Sequence, residues 1–353
     1  LLSLRGSLIC DFSIPDKTNI DGWLFDKTTD TVQCSGDIDN DGIDEIIITD
    51  TLGLAIVKYM EGSLRLIVRV ASSTARGNWI YGDAANGGRY CGYKISKFNG
   101  QQNELLLISK QGIATVSLQD GNLISMQILK NGELHANWKV NTGDHFLGVA
   151  KLFDDTETNI VFENNIDMHL VSITNPDQTF TLRTGIRYGG WLFNRADNTI
   201  QCFGDFDGDG LDEFFISSPW GIGILKWING IVTSVAMAPN GTNINGYIVD
   251  NKNVFASPGN YLATKNQEII VHNNAQLLAV LELDNGAFKS LNIPNKNFIS
   301  GDLAGEFVAK MDRDQKCDWL FKNSGALYVV NIDETTGSKI ENIVEINADI
   351  NEC

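Results

Sequence analysis

The chain contains a long internal duplication. The segment from Gly22 to Asp50 reads GWLFDKTTDTVQCSGDIDNDGIDEIIITD, and the segment from Gly190 to Ser218 reads GWLFNRADNTIQCFGDFDGDGLDEFFISS. Near-copies 168 residues apart show that the chain is built from repeated units. Such units stack on their neighbours because one unit alone cannot bury its apolar faces. The duplication therefore predicts a repeat architecture.

Each unit is predicted to hold four short antiparallel strands, which we name A to D. Strand A precedes an acidic loop or its degenerate equivalent, and an apolar run follows as strand B. Two further runs are joined by turns with a glycine in second place, which favours tight hairpins. These turns are Glu61-Gly62, Asp120-Gly121, Asn229-Gly230 and Asn285-Gly286.

An aromatic residue precedes strand A in every unit, at intervals of 51 to 59 residues: Trp23, Trp79, Trp138, Trp191, Tyr247 and Phe298. Six units of four strands, with no helical period, predict an all-β chain folded as a β-propeller of four-stranded antiparallel blades. We expect one domain over residues 1–353, with full repeats that begin near residues 22, 78, 137, 190, 246 and 297.

The N-terminal segment resembles the end of a repeat. Cys10 to Trp23 aligns with Ser234 to Tyr247, so residues 1–21 are predicted to form strands C and D of a half-blade. Six repeats and a half-blade slightly favour seven blade positions, whereas the duplication of three repeats supports six. If the termini meet in an oxidising compartment, Cys10 and Cys353 are predicted to form a disulfide.

Composition argues against several classes of function. The net charge of −17 disfavours nucleic acid, whose phosphates need clustered Lys and Arg. The chain lacks an apolar stretch of the roughly 18 residues that a membrane helix needs. The six cysteines show no CxxC spacing, and the four histidines belong to no catalytic motif. We therefore expect neither membrane insertion nor enzyme activity.

Two acidic loops are the strongest chemical signal. Asp37-Ile-Asp39-Asn-Asp41-Gly42 and Asp205-Phe-Asp207-Gly-Asp209-Gly210 place carboxylates at alternate positions before a glycine. Such a loop folds around a hard cation, and without one its charges repel. The loop of unit six has Lys310 in first place, and units two, three and five lack the alternating acids. We predict two structural calcium ions, in units one and four.

These loops resemble the FG-GAP or VCBS repeats of integrin-α-like propellers. The match covers Gly36 to Ile48 and Gly204 to Ile216, and weaker repeats extend it over the chain. The resemblance implies a calcium loop between strands A and B. The ligands that it implies are Asp37, Asp39, Asp41, Glu45 and the carbonyl of Ile43, with Asp205, Asp207, Asp209, Glu213 and the carbonyl of Leu211. Asp44 and Asp212 remain rival last ligands.

We predict that the opposite ends of the blades carry the ligand-binding surface. The candidate residues are Trp23, Trp79, Trp138, Trp191 and Trp220, because aromatic rings on loops stack on sugars. The alternative is that the tryptophans before strand A are wedges between blades. The plan is similar to that of a fungal propeller lectin that binds aminosugars. We expect a secreted or cell-surface module that binds a glycan or a glycoprotein; a protein-binding propeller and a polysaccharide lyase are the rivals.

Overall fold

The computed structural model describes a chain made of antiparallel sheets. The described residues are 15–51, 53–60, 63–76, 78–81, 92–141, 143–154, 156–256, 258–262, 264–273, 276–297, 304–309, 316–323, 326–333 and 339–343. In these ranges the strands form six four-stranded and five two-stranded sheets, with one 3₁₀ helix at Pro176–Gln178. None of the helical structure in them is long and apolar enough to cross a bilayer. The prediction of an all-β chain of four-stranded antiparallel units is confirmed.

The four-stranded sheets are blades one to six, and each pairs its strands A to D in chain order. Blade one consists of Thr31–Gly36, Glu45–Asp50, Gly53–Met60 and Ser63–Ala71. Blade two consists of Gly92–Ser96, Glu104–Ser109, Gly112–Gln119 and Asn122–Lys130. Blade three consists of His145–Ala150, Asn159–Glu163, Asp167–Val171 and Phe180–Arg183. Blade four consists of Thr199–Gly204, Glu213–Ser218, Gly221–Ile228 and Ile231–Pro239. Blade five consists of Val254–Phe255, Ile269–Asn273, Gln276–Asp284 and Ala287–Asn297. Blade six consists of Ala304–Ala309, Asp318–Asn323, Ala326–Asp333 and Lys339–Ile343.

A two-stranded hairpin precedes strand A in blades one to five, and its second strand begins with the repeated aromatic residue. The sequence pattern predicts the aromatic residue but not the hairpin, because strands of two or three residues are too short to show alternation. The hairpin strands are Asn19–Ile20 and Trp23–Leu24, Thr74–Arg76 and Trp79–Tyr81, Leu134–His135 and Trp138–Lys139, Arg187–Tyr188 and Trp191–Leu192, and Asn243–Ile244 and Tyr247–Ile248.

The chain divides into two compact units at the boundary of the duplication. Asp11–Leu182 contains blades one to three except for Arg183, the last residue of strand D in blade three. The other unit consists of Leu1–Cys10 and Arg183–Cys353 and contains blades four to six. The predicted half-blade strands and the predicted disulfide involve residues 1–14 and 353, and Phe298 precedes blade six; all of these lie outside the described residues. A single domain and a seventh blade position stay predictions.

Strands B and C lie in the middle of each four-stranded sheet, and their side chains are largely buried in blades one and two. Every side chain of Glu104–Ser109 is buried, and strand C of blade one is buried from Gly53 to Lys58. Tight turns join strands C and D. At Asp120-Gly121 both residues have positive φ, +49° and +71°, and Asn229-Gly230 and Asn285-Gly286 repeat this conformation. These three turns match the prediction from Gly-containing pairs, because glycine and asparagine tolerate positive φ. The fourth predicted turn, Glu61-Gly62, lies outside the described residues.

Candidate functional site

The acidic loop of blade one connects strands A and B. One carboxylate oxygen from each of Asp37, Asp39 and Asp41 lies within 4.8 Å of the others. Both oxygens of Asp37 accept backbone N–H groups, from Asp41 at 2.9 Å and from Gly42 at 2.9 Å. Gly42 has a φ of +90°, which glycine adopts without strain. The first aspartate therefore closes the loop through hydrogen bonds to its backbone.

The loop of blade four repeats this arrangement. Oδ2 of Asp205 accepts the N–H of Gly210 at 3.0 Å, and Gly210 has a φ of +94°. The N–H of Leu211 donates to Asp209 at 3.0 Å, as that of Ile43 donates to Asp41 at 3.0 Å. The residues whose carboxylate oxygens lie within 4.8 Å of one another here are Asp205, Asp207 and Glu213.

A lysine on strand C reaches into the acidic loop of blade one. Nζ of Lys58 lies 2.6 Å from Oδ1 of Asp41, 2.6 Å from Oε1 of Glu45 and 3.1 Å from Oδ2 of Asp39. Lys58 pairs with Glu45 across strands B and C, and its side chain is 3 % exposed. An ammonium group thus lies among carboxylates that were predicted to bind calcium.

Blade four contains the same cluster. Nζ of Lys226 lies 2.5 Å from Asp207, 2.8 Å from Asp209 and 2.8 Å from Glu213. Its side chain is 9 % exposed, and that of Glu213 is fully buried. Sequence reasoning missed both lysines, although a signal exists: each interrupts an apolar strand, in GLAIVKYM and in GIGILKWI.

The environment keeps both lysines charged. Burial lowers the pKa of Lys58 and Lys226, but hydrogen bonds from each to three carboxylates outweigh burial, so that both pKa values are raised. Burial raises the pKa of Glu213 to about 7 against the opposing effect of Lys226, and it also raises the pKa of Glu45. The pKa of exposed Asp41 is lowered, chiefly by its hydrogen bond to Lys58.

The glutamate that begins strand B also holds the loop backbone. Oε2 of Glu45 accepts the N–H of Ile38 at 2.9 Å. Blades three and five, which lack the alternating acids, make the same bond, so it does not depend on a metal. Of the rival last ligands, Asp44 is exposed and Asp212 half-buried, whereas Glu45 is buried. The equivalent bonds join Glu213 to Phe206 at 2.8 Å, Glu268 to Tyr261 at 2.8 Å and Asn159 to Leu152 at 2.9 Å.

The oxygen atoms of these loops are of the chemical type that Ca²⁺ prefers, namely carboxylate and carbonyl oxygens. Their arrangement does not suit it. In each loop, the ammonium group lies within 3.1 Å of three of the residues expected to bind the ion. A divalent cation about 4 Å from that ammonium would be repelled by roughly 8 kcal/mol at an effective dielectric constant of about 20. With the lysines in place the loops do not fit calcium, and the two predicted ions stay a prediction.

Each acidic loop is also bonded to the following blade. Nδ2 of Asn103 donates to the carbonyl oxygen of Asp37 at 2.6 Å, and the N–H of Gln267 donates to that of Asp205 at 2.8 Å. In every case the donor residue lies one or two positions before strand B of the next blade. The loops therefore connect neighbouring blades. The equivalent bonds elsewhere run from Thr158 to Lys97 at 3.0 Å and from Cys317 to Asn260 at 2.7 Å.

The four tryptophans that precede strand A are buried. The exposed fractions are 2 % for Trp23, 1 % for Trp79, 3 % for Trp138 and 4 % for Trp191. A ring so covered has no free face to stack on a sugar. The prediction of these four side chains as stacking surfaces is therefore corrected, because their faces pack against protein.

Their surroundings agree with the wedge alternative. Trp79 belongs to one apolar cluster with Leu54 of blade one and Leu105 of blade two. Trp138 likewise joins a cluster with residues of blades two and three. In blade four, Trp191 covers Gly223 so closely that a Cβ there would be 2.7 Å from the ring. The repeated aromatic residue thus contributes to the core.

Trp220 differs from the other predicted aromatics because it is 44 % exposed. It lies in the turn between strands B and C of blade four. The N–H of Asn240 donates to the carbonyl oxygen of Trp220 at 2.8 Å, and the Asn240 amide donates to that of Pro219. Gly221, which follows, would place a Cβ 2.3 Å from the carbonyl oxygen of Ala238. The hydrogen bonds from Asn240 and the close packing at Gly221 therefore fix the turn that carries the indole.

A groove of about 420 Å³ lies beside Trp220. Buried Trp191 and Ile222 line it, together with the exposed side chains of Arg187 and Met237. Nη1 of Arg187 donates to the carbonyl oxygen of Gly190 at 3.1 Å, which leaves further N–H groups of the guanidinium available to a ligand. The groove thus combines an apolar surface with hydrogen-bond donors.

A second, more polar pocket of about 550 Å³ lies at blade three. Trp138 and its neighbours in the hairpin before strand A line this pocket. Burial lowers the pKa of His169, one of its lining residues, and therefore favours the neutral imidazole. Sequence analysis missed this pocket, whose asparagines come from separate turns. Its polar lining residues include Asn131, Asn137, Asn141, Asp144, Asn164 and His169.

The sequence matches no protein-family model, and no curated protein matches it. Solved structures are similar in fold. A lectin from Agrocybe aegerita, which recognises non-reducing terminal N-acetylglucosamine, aligns over 93 % of this chain and 82 % of its own, with 14 % identity and a TM-score of 0.60. The chain is a β-propeller.

Two further similar structures align less closely with this propeller. The periplasmic gluconolactonase PpgL of Pseudomonas aeruginosa covers 87 % of this chain and 84 % of its own, with 13 % identity and a TM-score of 0.46. The β-propeller domain of Cps50 (Swd1) from Myceliophteria thermophila covers 85 % and 83 %, with 11 % identity and a TM-score of 0.42. At such identities, similarity is evidence of fold alone.

Proposed function

We propose that this β-propeller is a carbohydrate-binding recognition protein and that the groove beside Trp220 binds the sugar. The exposed indole of Trp220 is the observation that carries the proposal. Large aromatic rings supply an apolar face and a polar N–H, which suits ligands that are apolar on one side and hydroxylated on the other. The groove volume of about 420 Å³ falls in the range of small-ligand sites.

The groove offers both interactions that a sugar needs. Trp220 and Met237 supply exposed apolar surface, at 44 % and 48 % exposure. Arg187 supplies N–H donors for ring hydroxyl or acetamido oxygens. The net charge of −17 disfavours anionic glycans over neutral ones. We therefore expect a neutral sugar, and the Agrocybe aegerita lectin makes N-acetylglucosamine the first one to test.

The polar pocket of blade three is a second candidate site for the same class of ligand. Its volume of about 550 Å³ accommodates a monosaccharide, and its asparagine amides both donate and accept hydrogen bonds. An extracellular location stays a prediction. It agrees with a glycan ligand, and fractionation of the producing cells would test it.

The test is a glycan array followed by calorimetric titration of the sugars that bind. Trp220→Ala should weaken binding at least tenfold without a large change in melting temperature. Tyr59→Ala is the matched control, because Tyr59 is a 42 % exposed aromatic residue next to the C–D turn of another blade. Asn164→Ala tests the second pocket. If no glycan binds, or if Trp220→Ala and Tyr59→Ala bind sugar equally well, the Trp220 groove is not the site.

A further inference from the structure

We propose that Lys58 and Lys226 take the place of the two metal ions in the acidic loops, so that the fold does not require calcium. The proposal concerns the loops between strands A and B and is independent of the sugar-binding groove. It rests on the position of the two ammonium groups, on their burial and on the distribution of lysine among the six blades.

The position of the ammonium group is the same in both copies. Lys58 contacts Asp39, Asp41 and Glu45, and the residues that contact Lys226 are those at the equivalent loop positions, Asp207, Asp209 and Glu213. These are the third, fifth and ninth positions of the loop. The first position is closed by backbone N–H groups in both copies. Every carboxylate at these four positions is therefore contacted by a donor within the protein, although Oδ1 of Asp205 is buried and has no hydrogen-bond partner among the described residues.

Burial distinguishes the two lysine–glutamate pairs from mobile surface pairs. The side chains of Lys58 and Lys226 are 3 % and 9 % exposed, and those of Glu45 and Glu213 are fully buried. A buried charge is tolerated when an opposite charge and hydrogen bonds compensate it. Each glutamate and its lysine supply opposite charges to one another, and the two glutamates also accept hydrogen bonds from the backbone N–H groups of Ile38 and Phe206.

The blades of the same chain provide an internal comparison. Lysine occupies this position of strand C in blades one and four, which have the three-aspartate loop. In blades whose loops lack the alternating acids, the position is serine or an acid. Lysine and the acidic loop therefore occur together. The equivalent residues in blades two, three, five and six are Ser117, Ser172, Glu282 and Asn331.

The first measurement uses the wild-type chain. Thermal melts in EDTA and in millimolar CaCl₂ should coincide, and Tb³⁺ added as a calcium probe should show no stoichiometric luminescence. A metal that binds only the native state must raise the melting temperature as its concentration rises. A wild-type melting temperature that increases with calcium, or two saturable Tb³⁺ sites, would overturn the proposal and support the calcium prediction.

The second measurement removes the ammonium groups. Lys58→Met with Lys226→Met should lower the melting temperature in EDTA, and millimolar CaCl₂ should restore at least part of the loss. Lys289→Met is the control, because Lys289 is 52 % exposed and pairs with Asp284 outside these loops. If the double variant does not fold, Lys226→Met alone keeps the loop of blade one intact. Variants that melt like the wild type in both buffers would also refute the proposal.

Discussion

Lys58 lies directly opposite Glu45 in the ladder between strands B and C of blade one, and their charged atoms are 2.6 Å apart. Lys58 reaches the loop from strand C, and Glu45 begins strand B. The pair therefore connects the loop to the two middle strands of the blade. Both side chains are buried. Loss of one partner leaves the other as an uncompensated charge, which makes the pair sensitive to single substitutions.

A double-mutant cycle measures this pair. Lys58→Met should destabilise the protein by about 3 kcal/mol, because buried carboxylate charge is left without its ammonium. Glu45→Gln keeps an acceptor for the N–H of Ile38 but removes the charge. In urea unfolding, the double variant should be more stable than the sum of the single effects predicts, by about 1–3 kcal/mol. Additive effects would show that the two side chains are not coupled.

The buried carboxyl of Glu104 predicts a pH dependence. Burial raises its pKa from an ordinary 4.5 to about 7. The folded state therefore holds a proton that the unfolded state releases, and this contribution to stability is present below about pH 4.5 and is lost as pH rises to about 7. Glu104→Gln should gain stability relative to wild type over that interval, by on the order of 3 kcal/mol. Urea melts across the pH range measure it, with the exposed substitution Glu133→Gln as the matched control.

The side chain of Asn103 connects blades one and two. Its amide donates to the carbonyl oxygen of Asp37 at 2.6 Å. Asn103→Ala should destabilise the fold by about 1 kcal/mol, because a partly buried carbonyl loses its donor. Neighbouring Gln101 is exposed, and Gln101→Ala should leave the melting temperature unchanged. Equal melting temperatures for both variants would show that this bond between the blades contributes nothing measurable.

Truncation of two tryptophans should change the stability of the protein to very different extents. Trp79 is 1 % exposed and lies in the core cluster shared by blades one and two. Trp79→Ala should therefore cost about 3–5 kcal/mol, as is usual for a large buried ring. Trp220 is 44 % exposed, so Trp220→Ala should change stability by less than about 1 kcal/mol. Chemical unfolding of both variants checks this difference, and a large loss of stability in Trp220→Ala would show that this side chain belongs to the core.

The propeller could be predicted from the sequence because a repeat displays the same local pattern many times. One apolar run such as Leu105–Ile108 is ambiguous, but runs at equivalent points of six units exclude most other folds. The turn at Asn229-Gly230 was equally readable, since both residues need positive φ. The two acidic loops were visible for the same reason, because Asp37 to Gly42 and Asp205 to Gly210 are local patterns.

The exposure of the tryptophans could not be read from their spacing. A repeated aromatic residue fits a wedge between blades as well as a ligand platform, and the cluster around Trp79 includes residues more than 20 positions away in each direction, such as Leu54 and Leu105. Trp220 is exposed because it lies in a turn, whereas Trp191 packs against Gly223. Burial depends on contacts between distant segments, which a local pattern does not contain.

By itself, the sequence determined the β-propeller, its four-stranded units and the two acidic loops, since each depends on residues close together in the chain. Tertiary structure decided which group of the protein lies among the carboxylates of those loops. Lys58 is 19 residues from Asp39, and the antiparallel pairing of strands B and C brings it opposite Glu45. Electrostatic energy depends on distance in space, so a lysine remote in sequence can lie where a calcium ion was expected.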